Sequence, residues 1–446
     1  GLSLSVVLKA EGTIEKHVVG SVTESLVADP VAPEDYARLT EIFENPSLQM
    51  VTFTITEKGY SLVNGKGEKL PGVEDGFLAG PGNQSHLMGR IASLCYARFV
   101  KNGTPLALVS TDNCSHNGDK LKAGVMAYVD AWKQAGKVDD DFVSYMEEKV
   151  SFPWSMIDKI TPRPDEKVKE MLEKDGFEDT DLIITSRNTY TAPFVNSEET
   201  GYLVIEDNFP NGRPPLEKAG IVFTDRETVD KVEKMKVCTC LNPLHTALAI
   251  YGCMLGHTSI HDEMEDKELS QLIQKMCYEE AMSVVVNPGV IDPKEFANAV
   301  LTKRLPNPFM PDTPQRIACD TSQKLPIRFG ETIKFYENRE DLDTKSLTLI
   351  PLVLAGWCRY LMGIDDEGNA FEQSPDPRLD EVKAHVAGIS FGDTDVHDKL
   401  QPILSDASIF AVDLYSVSLG EKVEKMFVEL IAGKGAIRST LKKYVD

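Results

Sequence analysis

The chain is 446 residues long, 42% hydrophobic and 26% charged, with a formal net charge of −23. That length suits two or three domains rather than one core, and the composition is that of an ordinary globular protein. The acidic balance argues against nucleic acid or membrane surfaces as partners, while a local basic pocket would still admit a small anion. The longest apolar run, 347–358, is well short of the roughly 20 residues that span a bilayer.

From the N-terminus to about residue 225, short runs rich in Val, Ile and Thr alternate with amphipathic stretches. Strands are predicted at 5–9, 17–22, 50–56, 105–111, 182–186, 202–207 and 220–224. Helices are predicted at 86–101, 119–135, 139–149 and 165–175. Such alternation implies an α/β layer around a mostly parallel sheet. After 225 the β signal fades, and helices are predicted at 226–256, 266–285, 346–363, 378–388, 396–405 and 420–445. A boundary near 225 therefore separates an α/β domain, 1–225, from a mostly helical domain, 226–446. The Pro-rich segment 305–326 reads as an ordered loop with a short helix. The eight cysteines follow no framework spacing and no signal-peptide pattern opens the chain. Reduced thiols in a cytoplasmic setting are expected.

One segment concentrates chemistry: Glu233-Lys234-Met235-Lys236-Val237-Cys238-Thr239-Cys240-Leu241-Asn242-Pro243-Leu244-His245. A lysine exchanges protons, an amide polarises a carbonyl and an imidazole holds a hydroxyl, so these groups suit alcohol oxidation or ketone reduction without a metal. A zinc site built from Cys238, Cys240, His245, Cys253, His257 and His261 is the weaker reading, because their spacing matches no ligand pattern. A dinucleotide fingerprint is also missing. Gly80-Pro81-Gly82-Asn83-Gln84-Ser85 lacks the third glycine and a preceding strand, and reads as a turn.

Thr111-Asp112-Asn113-Cys114-Ser115-His116-Asn117-Gly118 follows a predicted strand. It reads as an Asx-turn and cap for the helix beginning near Asp119, as a ligand-facing edge, or as both. The segments 151–162 and 206–214 are each either cleft lining or surface loop. Arg304 and Arg316 bring cations into an acidic chain, either to grip a carboxylate or to pair with an Asp and tie down the loop.

Together these segments resemble the polyol-specific long-chain dehydrogenases, the mannitol dehydrogenase family. Thr54-Ile55-Thr56-Glu57-Lys58-Gly59-Tyr60 is similar to its T-x-T-E-x-G-Y, and Asp112-Asn113 with Asn117-Gly118 to its C-D-N-x-x-x-N-G. Phe152-Pro153 through Met156, Asp158 and Ile160-Thr161-Pro162 resembles F-P-N-x-M-V-D-R-I-T-P. Glu206-Asp207, Phe209 and Gly212-Arg213-Pro214 match E-D-x-F-x-x-G-R-P, and Asn307-Pro308, Asp312-Thr313, Arg316 and Ser322-Gln323-Lys324 follow in order.

The resemblance implies a metal-independent, NAD-dependent oxidoreductase (NADP being the alternative) with a Rossmann-like N-terminal domain and a helical C-terminal domain. It implies Lys236 as general acid/base, with Asn113 and Asn242 as the amides that polarise the reacting oxygen. His245 and Arg316 would hold substrate hydroxyls or a carboxylate, Asp158 would orient substrate, and Glu233 would mark the proton exit. Glu57 and Asn113 would lie at the cofactor.

Within the family the variant Cys240-Leu241-Asn242-Pro243-Leu244-His245, with Lys303, Arg304 and Arg316, is most similar to the fructuronate reductases. Reduction of D-fructuronate to D-mannonate by a monomer or homodimer is the expectation. Mannitol oxidation and tagaturonate reduction are the alternatives, and a non-catalytic binding protein is the third. Two departures from the family pattern carry further expectations. The Gly-rich turn that opens family chains is not in this sequence, so a βαβ unit of roughly 30 residues is expected upstream of Gly1. The spacing Lys236-x5-Asn242 is one residue longer than the family's K-x4-N, a rotation of about 100° on an α-helix. A π-bulge or a non-helical first turn would absorb it.

Overall fold

The structure, a computed structural model, describes residues 3–164, 166–185 and 190–446. Its strands are β1 (Ser3–Leu8), β2 (Ile14–Val19), β3 (Met50–Phe53), β4 (Leu106–Ser110), β5 (Val150–Ser151) and β6 (Ser155–Asp158), followed by β7 (Ile183–Ile184), β8 (Tyr190–Thr191), β9 (Phe194–Glu198), β10 (Tyr202–Glu206) and β11 (Val222–Thr224). Each predicted strand is present, although Ser186 at the end of one lies outside the described residues, as does Asp165 at the start of a predicted helix. The unanticipated strands are β5, β6, β8 and β9. β5 and β6 flank Phe152-Pro153-Trp154, where the proline hides the strand signal.

The chain divides into two compact units. Val18–Lys159 and Gly201–Glu233 form most of the first, and Ser5–His17, Ile160–Thr200 and Lys234–Asp446 form the second. The position near 225 lies inside the first unit, and two segments of the N-terminal half, 5–17 and 160–200, join the helical unit.

In the first unit β4 lies between β3 and β5 in a parallel sheet, with Val51 opposite Leu108 and Ala107 opposite Ser151. All five β4 residues are buried, as expected for a strand covered on both faces. Leu106 and Leu108 pack into a core with the helices α1 (Pro33–Glu44), α2 (Leu87–Lys101) and α3 (Asn117–Gln134). Ala107 and Val109 face Ile205 of β10, which pairs with β6 and β11. The buried Arg98 guanidinium donates to the carbonyls of Phe43, Asn45, Leu48, Thr104 and Pro105, pinning the entries of β3 and β4 to the end of α1.

The second unit is mostly helical. Its principal core helices are α5 (Asn242–Leu255) and α6 (Leu349–Tyr360), joined by a hydrogen bond from Tyr251 Oη to the Leu352 carbonyl, 2.7 Å. Ahead of α5 runs α4 (Arg226–Lys234), all but its last residue in the first unit, and the continuous helical stretch Arg226–Leu255 is long and apolar enough to cross a bilayer by length and composition alone. Most of its apolar window is buried within the fold, so it is a core helix. The three-stranded sheet β2-β1-β9 belongs largely to this unit. Arg304 anchors it, gripping Glu198 of β9 with two 2.9 Å hydrogen bonds. The stretch predicted as one helix at 420–445 is two, Gly420–Leu430 and Ala436–Val445, parted by Gly433 and Gly435 at positive φ.

Gly118, at the start of α3, is where two of the sequence motifs pack against each other. A Cβ there would lie 2.6 Å from the Phe152 carbonyl oxygen and 2.8 Å from that of Pro153. Gly118→Ala is expected to cost about 1 to 3 kcal/mol, the usual range for overpacking. It should read as a lower urea midpoint with an unchanged slope.

Candidate active site

The segment Glu233–His245 is centred on a π-helical turn, Met235–Cys240, between α4 and α5. The Leu241 N–H donates to the Lys236 carbonyl five residues back, at 3.1 Å. A turn closed in this way holds one residue more than an α turn, so it takes up the extra residue between Lys236 and Asn242. Local chemistry favours the distortion. Pro243 in the first turn of α5 has no N–H to offer the Thr239 carbonyl, and Thr239 Oγ1 bonds back to the Met235 carbonyl at 2.6 Å. Lys236 is 2% exposed, whereas Lys234 is solvent-facing. Burial thus singles out Lys236 of the two lysines.

Asn242 and His245 occupy the first turn of α5, three residues apart and on one face. The Asn242 amide is partly exposed. His245 is 15% exposed at its side chain, and its Nε2 is enclosed without a hydrogen-bond partner, 3.7 Å from Asp312. Burial, and after it the nearby Arg328, Arg316 and Arg304, pushes the imidazole pKa down to about 3. At neutral pH it is therefore uncharged, offering one N–H donor and one lone pair.

The cations expected around His245 are differently disposed. Arg316, 63% exposed, pairs with the buried Asp312 on its own segment, the loop-fastening alternative. Lys303 is exposed and lies near Glu11. Arg304 is turned to Glu198, since a buried guanidinium is costly without a carboxylate. Two cations without an assigned role stand close to His245 instead. Lys324 donates to the carbonyls of Ile317 and Cys319, and Arg328 donates to the hydroxyl of Thr246, next to His245. Their i, i+4 spacing was the available signal. Arg328 lies in a second π turn, Pro326–Gly330.

In the first unit, the polar motif after β4 divides its labour. Asp112, 6% exposed, accepts from the backbone N–H groups of Ile55 and Thr56 and from the Tyr60 hydroxyl. It thereby holds Thr56 at φ 63°, a strained value for a β-branched residue. Asn117 is fully buried, bonding to Ser110, Asp112 and Ser155, and so ties β4 to β6. It supplies no helix cap. α3 begins at Asn117 after His116 in the left-handed region, with no side-chain cap.

Asn113 is left exposed at the C-terminal edge of the sheet. Glu57, paired with Lys120, and Glu233 are close enough to act on the Cys114 thiol, which burial above all raises to about 11. Asp158 ends β6, 6% exposed, opposite Tyr202. The exposed Asn113 amide stands at the carboxyl edge of the parallel β3-β4-β5 sheet, the usual ligand edge of such a sheet, whereas Asp158 ends a strand antiparallel to β10. Among the described residues no Gly-rich phosphate turn stands there.

Among the described residues Cys238, Cys240, His245, Cys253, His257 and His261 do not come together as one ligand group. Burial holds the thiols of Cys240 and Cys253 near 11 and 12, in their protonated forms. Among the described residues the one grouping with metal-ligand proximity is His261, Asp262 and Glu265, along a single helix.

Comparison with known proteins places the chain. Residues 1–218 match the Mannitol dehydrogenase Rossmann domain and residues 228–430 the Mannitol dehydrogenase C-terminal domain. The chain is 53% identical to a D-mannonate oxidoreductase of Thermotoga maritima, over 100% of its own length and 83% of that protein. It is 31% identical to mannitol dehydrogenase DSF1 of Saccharomyces cerevisiae, across 86% of the chain and 71% of that protein. In structure it resembles the Pseudomonas fluorescens mannitol 2-dehydrogenase solved with NAD and D-mannitol, with a TM-score of 0.67 at 25% identity, covering 99% of this chain and 82% of that one. A D-sorbitol dehydrogenase shares the fold with a TM-score of 0.80 at 23% identity, covering 100% and 84%.

The neutral His245 makes a measurable expectation. Its ring resonances in labelled protein should not titrate between pH 8 and 5. A histidine in the unfolded chain has a pKa of about 6.5, so below that value the unfolded state binds the extra proton. The His245 contribution to stability is therefore lost as pH falls from about 6.5 toward the folded value. A midpoint near 6.5 for His245 in the folded protein would contradict the cationic surroundings described.

Proposed function

The chain belongs to the mannitol dehydrogenase family, and from that premise we propose that it reduces D-fructuronate to D-mannonate with NADH, and catalyses the reverse oxidation with NAD. The observation that carries this reading is the 53% identity, over the whole chain, to a D-mannonate oxidoreductase. A cytoplasmic setting fits cysteines that are all free.

Lys236 serves as the general acid, giving its proton to the carbonyl oxygen as that oxygen becomes a hydroxyl, and taking it back in oxidation. Asn242 and Asn113 are assigned to the developing alkoxide, as donors whose dipoles are already oriented. A reduced nicotinamide, when bound, would supply the hydride to the carbonyl carbon. Glu57 and Asn113 would hold the ribose and nicotinamide portion of the dinucleotide. His245, uncharged and with an unpartnered nitrogen, accepts from or donates to a substrate hydroxyl. Glu233, three residues before Lys236 along the helix, is assigned to proton exchange with solvent, and Asp158 to orienting substrate.

Lys236→Ala in the full-length enzyme is expected to lower kcat roughly 10²- to 10⁴-fold while leaving the circular dichroism spectrum intact. Retained turnover would remove Lys236 from the mechanism. The substrate assignment is checked separately by comparing kcat/KM for mannonate and mannitol with NAD. Mannitol oxidation equal to or better than that of mannonate favours the polyol dehydrogenase reading suggested by the yeast and Pseudomonas relatives.

A further inference from the structure

We infer that Arg328, rather than Arg304 or Arg316, is the residue that recognises the substrate carboxylate and so distinguishes a sugar acid from a neutral polyol. The inference rests on the uronate reading above and names the group that would make that reading possible.

Four cations of the second unit lie near His245, namely Arg304, Arg316, Lys324 and Arg328. Arg304 grips both carboxylate oxygens of Glu198 through Nε and Nη2, and the pair is 3% and 2% exposed. Arg316 is bound to Asp312. Lys324 spends its ammonium on the carbonyls of Ile317 and Cys319. Arg328 is different. Its one hydrogen-bond partner among the described residues is the Thr246 hydroxyl, and no carboxylate there lies within ion-pair distance of it. Burial alone pulls its pKa down to about 10, with no acidic neighbour to oppose that. In a chain carrying 23 more acids than bases, a largely enclosed guanidinium without a counter-ion is a site lacking its anion.

Its position is also defined. Thr246, which accepts from Arg328 Nη1, donates in turn to the Asn242 carbonyl at 2.9 Å. The guanidinium is thus braced against the first turn of α5, beside His245 and Asn242, the two groups assigned to hydroxyl and reacting oxygen. The remaining N–H groups of the guanidinium form a planar fork suited to both oxygens of one carboxylate. The positive end of the 14-residue α5 adds to the same field.

The test uses full-length enzyme and three variants, Arg328→Gln, Arg328→Lys and Thr246→Val. Turnover of mannonate by the unmodified enzyme comes first, because its absence refutes the uronate reading whatever Arg328 does. Given turnover, Arg328→Gln should lower kcat/KM for mannonate roughly 10- to 100-fold, mostly through KM, as expected for loss of a charge-assisted bidentate contact. The KM for NAD should stay within about twofold, and the mannonate-to-mannitol preference should fall. Arg328→Lys should recover part of the loss by keeping the charge without the fork. Thr246→Val should show a smaller rise in mannonate KM. An unchanged mannonate KM in Arg328→Gln overturns the inference. So do equal losses for mannonate and NAD, which mark a packing role. Should Arg328→Gln not fold, Arg328→Lys decides: a mannonate KM equal to that of the unmodified enzyme overturns the assignment.

Discussion

A hydrogen bond from the Leu241 N–H to the Lys236 carbonyl spans five residues where a regular helix would span four, and the chemistry of the second unit hangs on it. With an α turn at this point, Lys236 would sit about 100° around the helix axis from its place relative to Asn242 and His245. With the π turn, the lysine is buried and the amide and imidazole follow on the next turn. The surroundings hold the distortion in place, since Thr332 Oγ1 donates to the Cys238 carbonyl and Cys240 Sγ to that of Pro293. Three further π turns, at Met276–Ala281, Val300–Arg304 and Pro326–Gly330, punctuate the same unit. Two of them carry Arg304 and Arg328, so irregular helix and charged side chain coincide repeatedly here.

Much of the fold could be read from residue order because its signals are local. Strand runs, helix periods and the change near 225 depend on neighbours within a turn or two. The unforeseen parts depend on distant partners. Glu198 and Arg304 are 106 positions apart, and nothing in either neighbourhood announces the other. For the same reason residue order does not show that 160–200 clusters with the helical unit, where β9 is held by Arg304. The one-residue excess in the Lys236–Asn242 spacing was legible, and so was its resolution, because a fixed chemical pattern on an irregular count leaves few geometries.

The site was legible by type more than by assignment. Asn242 and His245 lie where a shared helical face required them, and Asn113 lies at the sheet edge. For the cations, residue type shows that a charge exists and burial decides what it meets. Arg304 and Arg316 each have a carboxylate of their own, while Arg328, in no motif, has none among the described residues. The motif following β4 likewise separates on inspection into a frame, Asp112 and Asn117, and an exposed tip, Asn113.

The Arg304–Glu198 pair has a consequence for how this sequence can drift. Exchanging either member alone strands its partner's charge in an interior that gives water almost no access, whereas exchanging both together for apolar groups is close to neutral. Paths of single substitutions through these two positions are therefore blocked at the intermediate. Across descendants of this chain the two sites should behave as one inherited character, retained or replaced jointly.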